Sequence, residues 1–236
     1  GVLVPNNPDE IASLHNEARI ALGKRIGDVP SDANFKEENS ATTVKQLTAD
    51  AKSVSEQFQN MMDEAARGVG EVNYGENACC MLKSEKSLDV KIAKYMRQSN
   101  ITEGEAVSAI PDAIRGTIIV DSPEGLGDAA RSFGESVRAS GGSIKFNNMF
   151  DAESPSGYLG VHAIVKLATK DGGFLNSEVQ FHLKAVHDGT MKSIKERSHK
   201  LFEKTRTGEL TAVKAAAATA AMLLLFTAAA AAASGA

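Results

Sequence analysis

The sequence predicts an α+β fold: helices packed on a mixed, mostly antiparallel sheet. Two observations carry this. Apolar residues recur at helical spacing through residues 8–27 and 42–66, and three segments between 143 and 183 alternate apolar and polar residues as half-buried strands do. Taken in order, the segments run helix, helix, helix, strand, helix, strand, strand, strand, helix.

Residues 1–7 (GVLVPNN) read as an extended lead-in, and Asn7 or Asp9 can cap a helix running to about Gly27, with Ile11, Leu14, Ala18 and Leu22 on one side. Residues 28–41 (DVPSDANFKEENSA) read as a polar linker. A second helix spans about Thr42 to Ala66, with Val44, Leu47, Ala51, Val54, Phe58, Met61 and Met62 on one stripe, and the glycines of RGVGEVNYG end it. KSLDVKIAKYMRQ is a helix, AIRGTIIVDS a short strand, and EGLGDAARSFGESVRAS a helix stopped by Gly141 and Gly142. SIKFNNMF, GYLGVHAIVKLA and FLNSEVQFHL are strands, the last two joined by TKDGG, a hairpin signal. AVHDGTMKSIKERSHKLFEKTR closes the sequence of elements as a charged helix, in which His199 and Glu203 are spaced to pair.

The bulk numbers bound the class. The chain has 236 residues, 42% hydrophobic and 24% charged, with a net charge of −4. That balance suits a globular domain and argues against an extended nucleic-acid surface, while leaving room for a local basic pocket. Cys79 and Cys80 are the only cysteines and are adjacent, so neither a disulfide framework nor a four-ligand zinc set follows. The chain starts at Gly1 rather than Met, which predicts a piece of a longer protein. Residues 215–236 carry no charge and are mostly Ala around MLLLF. Three readings stand for this tail: a marginal membrane span, the first of several membrane helices, or a low-complexity helix.

Phosphate-loop, dinucleotide-loop, nucleophile-elbow and His-Glu-x-x-His motifs are absent. Three other stretches could carry chemistry, each beside a plainer reading. In NSEVQFHLK a strand would set Glu178, Gln180 and His182 on one face and Val179, Phe181 and Leu183 in the core; the plain reading is an exposed sheet face. In IPDAIRGTIIV, Asp112 and Arg115 flank a strand start, either as a turn pair or as a metal-binding carboxylate with a phosphate-pairing guanidinium. In LKSEKSLDVKIAK, Lys83, Lys86, Lys91 and Lys94 surround Ser84 and Ser87, either as an anion site at a helix start or as a solvated face balanced by Glu85 and Asp89. A fourth stretch, SPSGYLGVH, places Gly157 and Tyr158 at the mouth of a strand whose polar parity includes His162.

In order, LKSEKSLDVK, DAIRGTIIV, SGYLGVH and EVQFHLK resemble the RelA/SpoT synthetase domain, over roughly residues 77–206. The resemblance implies a nucleotidyltransferase-like α+β fold, with residues 1–76 as a helical region ahead of it and residues 207–236 as an Ala-rich tail. It implies a pyrophosphokinase that moves the β,γ-pyrophosphate of ATP onto the 3′-hydroxyl of a nucleotide, with GDP, GTP or an adenine nucleotide as acceptor. The tRNA 3′ end is an alternative acceptor, and a catalytically inactive nucleotide-binding or membrane-associated module is the alternative from another class. By the same resemblance Asp112 and Glu178 hold Mg²⁺, and Glu178 with Gln180 orients or deprotonates the 3′-hydroxyl. Lys83, Ser84, Lys91 and Arg115 bind ATP phosphates. Gly157, Tyr158, His162 and His182 form the acceptor side, with Tyr158 under the base. Departures are visible. Met81 and Ser156 stand where the family commonly has Arg and Asn, Leu159 and Gly160 replace a polar pair, and Arg115 follows Asp112 by three residues rather than five. They point to a divergent member of toxin or effector type, acting on cytoplasmic nucleotides.

Overall fold

The computed structural model describes residues 8–73, 82–151, 159–184 and 187, and of residues 8–15 the backbone only. The Cys79–Cys80 pair, Met81, Ser156, Gly157, Tyr158, His199, Glu203 and the tail lie outside the described residues. Among the described residues five helices and five strands appear: α1 (Pro8–Ile26), α2 (Val44–Ala66), β1 (Gly70–Asn73), α3 (Glu85–Ser99), α4 (Glu103–Ser108), β2 (Arg115–Val120), α5 (Pro123–Ala139), β3 (Ser143–Asn148), β4 (Val161–Ala168) and β5 (Phe174–Leu183). The α+β class read from the sequence is the one observed.

The strands form one sheet in the order β1-β2-β5-β4-β3. β3, β4 and β5 form an antiparallel meander, and β5 then lies parallel to β2, which pairs antiparallel with β1. One face is the core. Ile118 and Val120 of β2, Val179 and Phe181 of β5, Val161, Ala163, Val165 and Leu167 of β4, and Ile144 of β3 are all buried there. The apolar stripes of α2 and α5 belong to the same core. Phe58 of α2, Phe133 of α5 and Phe181 of β5 meet edge to face in series, at 6.2 and 5.9 Å between ring centroids, a geometry that adds to the area these rings bury.

Local signals set the boundaries. Thr43, Ser84, Thr102 and Ser122 each cap a helix by accepting a backbone N–H into the side chain. The β4–β5 hairpin turns at Gly172, whose φ of 80° suits Gly.

Two elements lie outside the sequence reading: β1, a four-residue and mostly exposed edge strand, and α4, a six-residue helix held by a Thr102–Glu105 capping box. Segment 28–41, read as a linker, is laced to the sheet. Asp32 accepts from Ile144 N–H at 2.8 Å and from Arg138 at 2.7 Å, and Ser31 accepts from Phe146 N–H at 2.8 Å. These bonds cover the open edge of β3. Ser40 N–H donates to Phe174 O at 2.9 Å, and Ser40 Oγ accepts from Phe174 N–H at 2.8 Å, at the start of β5. Among the described residues no helix is long and apolar enough to cross a membrane.

Candidate active site

The second face of the sheet is polar, and the register aligns its residues in rows. Asn147 of β3, His162 of β4, Gln180 of β5 and Thr117 of β2 are successive partners in one row. Lys145, Ile164, Glu178 and Arg115 form the next row. The parallel pairing of β2 with β5 therefore sets Arg115 beside Glu178. A four-residue edge strand does not disturb this, because β1 joins on the far side of β2.

At the start of β2 three distant stretches of chain meet. Glu178 N–H donates to Ile114 O at 3.0 Å on one side, while Lys83 N–H donates to Ala113 O at 2.9 Å on the other. Leu82 bridges Ile114 in antiparallel fashion. The Asp112–Ile114 segment is thus held between the lysine-bearing stretch and the Glu178 strand. Asp112 is buried. Its Oδ1 accepts from Lys91 Nζ at 2.7 Å, and its Oδ2 accepts from Lys83 Nζ. The side chains of Asp112, Lys83 and Lys91 are 9%, 15% and 24% exposed. Burial pushes the Asp112 carboxyl up, but the hydrogen bonds and charges of the two lysines outweigh it and hold it below the usual carboxylate range. Lys91 also lies 5.6 Å from the centroid of the Tyr95 ring. Glu85, Lys86 and Asp89 stay exposed at the helix start.

On the polar face Gln180 Nε2 donates to Glu178 Oε1, which ties the carboxylate to its neighbour on the same face of β5. His182 Nε2 lies 3.5 Å from Gln180 Oε1. The His182 ring meets His162 edge-on at 6.5 Å and His187 at 6.2 Å. His182 shares the parity of Glu178 and Gln180 yet is only 1% exposed. His162 is half-buried. Burial pushes its imidazole pKa below the usual value, against the charge of Glu178, which pulls it up. Ser84 sits at the N-terminus of α3, its Oγ 2.9 Å from Ser87 Oγ and exposed.

Of the residues singled out from the sequence, Lys83, Lys91 and Asp112 form one bonded cluster, and Glu178, Gln180, His162, His182 and Arg115 share one sheet face. Gly157 and Tyr158 fall outside the described residues. Two residues were missed: Asn147 and Thr117, in the row of Gln180 and His162. The parity of β3 held the signal, since Ile144 and Phe146 point into the core and leave Lys145 and Asn147 on the other side.

Carboxylate oxygens at Asp112 and Glu178 suit a hard divalent cation. Among the described residues no group of three or more acidic, His or Cys side chains is poised for a metal, and both Asp112 oxygens accept from lysines.

No protein-family model matches the chain, and no curated protein does. Solved structures do. The small alarmone synthetase 1 from Bacillus subtilis bound to its product pppGpp matches at 19% identity, over 78% of this chain and 90% of that one, with a TM-score of 0.40. A GTP pyrophosphokinase family protein from Streptococcus pneumoniae matches at 17% identity, over 76% and 83%, with a TM-score of 0.43. The small alarmone synthetase 2 from Bacillus subtilis matches at 14% identity, over 78% and 92%, with a TM-score of 0.48. The chain is similar to these proteins in fold, at low identity.

Proposed function

We propose that this chain is an ATP-dependent pyrophosphokinase that transfers the β,γ-pyrophosphate of ATP to the 3′-hydroxyl of a nucleotide, GDP, GTP or an adenine nucleotide. One observation supports it above the rest: backbone bonds tie Lys83 to Ala113 and Glu178 to Ile114, the residues next to Asp112, and so bring three stretches far apart in sequence to one corner of the sheet. The arrangement gathers cations for a polyphosphate beside a carboxylate that can take a proton, as in-line phosphoryl chemistry requires.

In the reaction the 3′-oxygen attacks the β-phosphorus of ATP. The bond from that phosphorus to the α,β-bridging oxygen breaks, and AMP leaves. The hydroxyl proton passes to Glu178, which the Gln180 amide holds in place. Lys83, Lys91 and Arg115 bind the phosphates, and the Ser84 hydroxyl adds a donor at the start of α3. Asp112 and Glu178 would hold Mg²⁺, which when bound neutralises charge on the triphosphate. His162, kept neutral near pH 7 by its burial, donates or accepts a hydrogen bond at the acceptor ribose or phosphate without adding charge. Tyr158 stacks on the acceptor base, Gly157 lets the backbone turn beside it, and His182 backs His162. We assign the catalytic unit to residues 77–206, with a toxin- or effector-like setting.

The test offers the full chain Mg²⁺, ATP and, in parallel, GDP, GTP, ADP and bulk tRNA. The expected result is AMP together with an acceptor heavier by a pyrophosphate, lost in Glu178→Gln. A folded Glu178→Gln protein with unchanged turnover would overturn the assignment, and product on tRNA alone would move the acceptor.

A further inference from the structure

We propose that Lys83 and Lys91 hold the Asp112 carboxylate closed to a divalent cation until a polyphosphate draws them away, so that cation and polyphosphate enter this corner as a coupled pair. This rests on the reading of the site as one for ATP.

The two carboxylate oxygens are shared out, Oδ1 to Lys91 at 2.7 Å and Oδ2 to Lys83. Two ammonium groups around one carboxylate leave a net positive cluster, and all three side chains are largely withdrawn from water. Such a cluster repels a divalent cation and attracts an anion. A cation bound to Asp112 needs one of those oxygens at about 2.0–2.6 Å, so the ammonium already there has to leave. A lysine leaving a mostly buried carboxylate needs another anion, and a polyphosphate supplies it. Once the lysines turn to phosphate, Asp112 is a buried carboxylate without counter-charge and becomes a strong cation ligand. The coupling is reciprocal by linkage. The movement is confined to side chains, because Leu82 and Lys83 are pinned through their backbones to Ile114 and Ala113. A purely structural ion-pair cluster would behave otherwise: removing one of its lysines would lower stability and open no cation site.

The experiment is calorimetric titration of the full chain with inorganic tripolyphosphate and with a non-hydrolysable ATP analogue, each in chelator and in excess Mg²⁺. For the wild type, Mg²⁺ is expected to raise analogue affinity by about tenfold or more, within the usual range of site-to-site coupling. Asp112→Asn is expected to bind tripolyphosphate more tightly than wild type in chelator, by about tenfold, and to lose the Mg²⁺ enhancement. Unchanged or weaker metal-free binding by a folded Asp112→Asn protein overturns the proposal. A second variant keeps the test open should that one fail to fold. Lys91→Met frees Oδ1 and is expected to bind Mn²⁺ without nucleotide, read from the free-ion paramagnetic resonance signal, where wild type does not; no gain overturns the proposal. An analogue that binds but shows no dependence on Asp112 sinks the clamp and leaves the ATP reading standing. An analogue that never binds, beside a Mn²⁺ gain in Lys91→Met, supports the clamp and sinks the ATP reading.

Discussion

Asn39 links the segment ahead of α2 to both carboxylate-bearing parts of the site, and its removal should be costly. The residue is 6% exposed. Its Nδ2 donates to Ile110 O at 2.7 Å, Ser108 O at 3.0 Å and, weakly, Val107 O at 3.4 Å. Its Oδ1 accepts from Asn176 N–H at 2.6 Å. Ile110 leads into Asp112, and Asn176 is two residues before Glu178, so one side chain bridges the two strand starts. Asn39→Ala removes the partner of the Ile110 carbonyl and of the Asn176 N–H, both next to the core. A buried polar group left unpaired costs about 1–3 kcal/mol, so the pair amounts to roughly 2–6 kcal/mol. With a urea slope of about 2 kcal/mol per molar, the unfolding midpoint should fall by roughly 1–3 M at unchanged slope. Asn39→Asp should not rescue it: it keeps the acceptor for Asn176 but sets a carboxylate against three carbonyl oxygens. The assay is equilibrium urea unfolding followed by circular dichroism. A loss under about 0.5 kcal/mol for Asn39→Ala would refute the claim that these bonds fasten the site's two halves.

The same fold predicts three further outcomes. The His162 imidazole should titrate by proton NMR below its usual value of 6.5, and Glu178→Gln should lower it further by removing the charge that pulls it up; a midpoint at or above 6.5, or one raised by the substitution, contradicts the site's electrostatics. Asp50, buried in α2 and facing the charge of Asp171, has its carboxyl pKa raised by burial first and by that charge second. A folded pKa above the unfolded one means stability is lost as pH rises through the carboxylate range, so Asp50→Asn should raise Tm at pH 7 and change it little at pH 3. An equal change at both pH values would contradict this. A Cβ on Gly127 of α5 would sit 2.0 Å from Ile26 O at the end of α1, where Arg131 also donates to that carbonyl at 3.0 Å. Gly127→Ala should therefore cost about 1–3 kcal/mol and speed proteolysis within α1; an unchanged Tm and cleavage pattern would refute the close contact.

Periodicity carried much of the fold. The stripe of α2 and the parities of β4 and β5 were legible because each buries one side against a shared core, and TKDGG marked their hairpin. β1 was not legible: four residues, mostly exposed, hold their place through pairing with β2 rather than through a pattern of their own. Segment 28–41 looked like a linker because its composition is polar, yet those polar side chains serve β3 and β5 at separations of more than a hundred residues. In the site, ordered sequence blocks pointed to Lys83, Lys91, Asp112 and Glu178, but not to the lysines closing on Asp112, which depends on the Leu82–Ile114 bridge. His182 had the parity of an exposed residue and is covered by neighbouring histidines. Thr117 and Asn147 needed the register of four strands to join the row of His162 and Gln180.

Two labels followed at once test pyrophosphate transfer. The full chain is given Mg²⁺, an acceptor nucleotide and ATP carrying label at the α-phosphorus in one reaction and at the γ-phosphorus in another. Pyrophosphate transfer sends the α-label to AMP and the γ-label, with its β-neighbour, to the acceptor, and both transfers should vanish in Glu178→Gln. The α-label in ADP, or an acceptor gaining a single phosphate, would contradict the account.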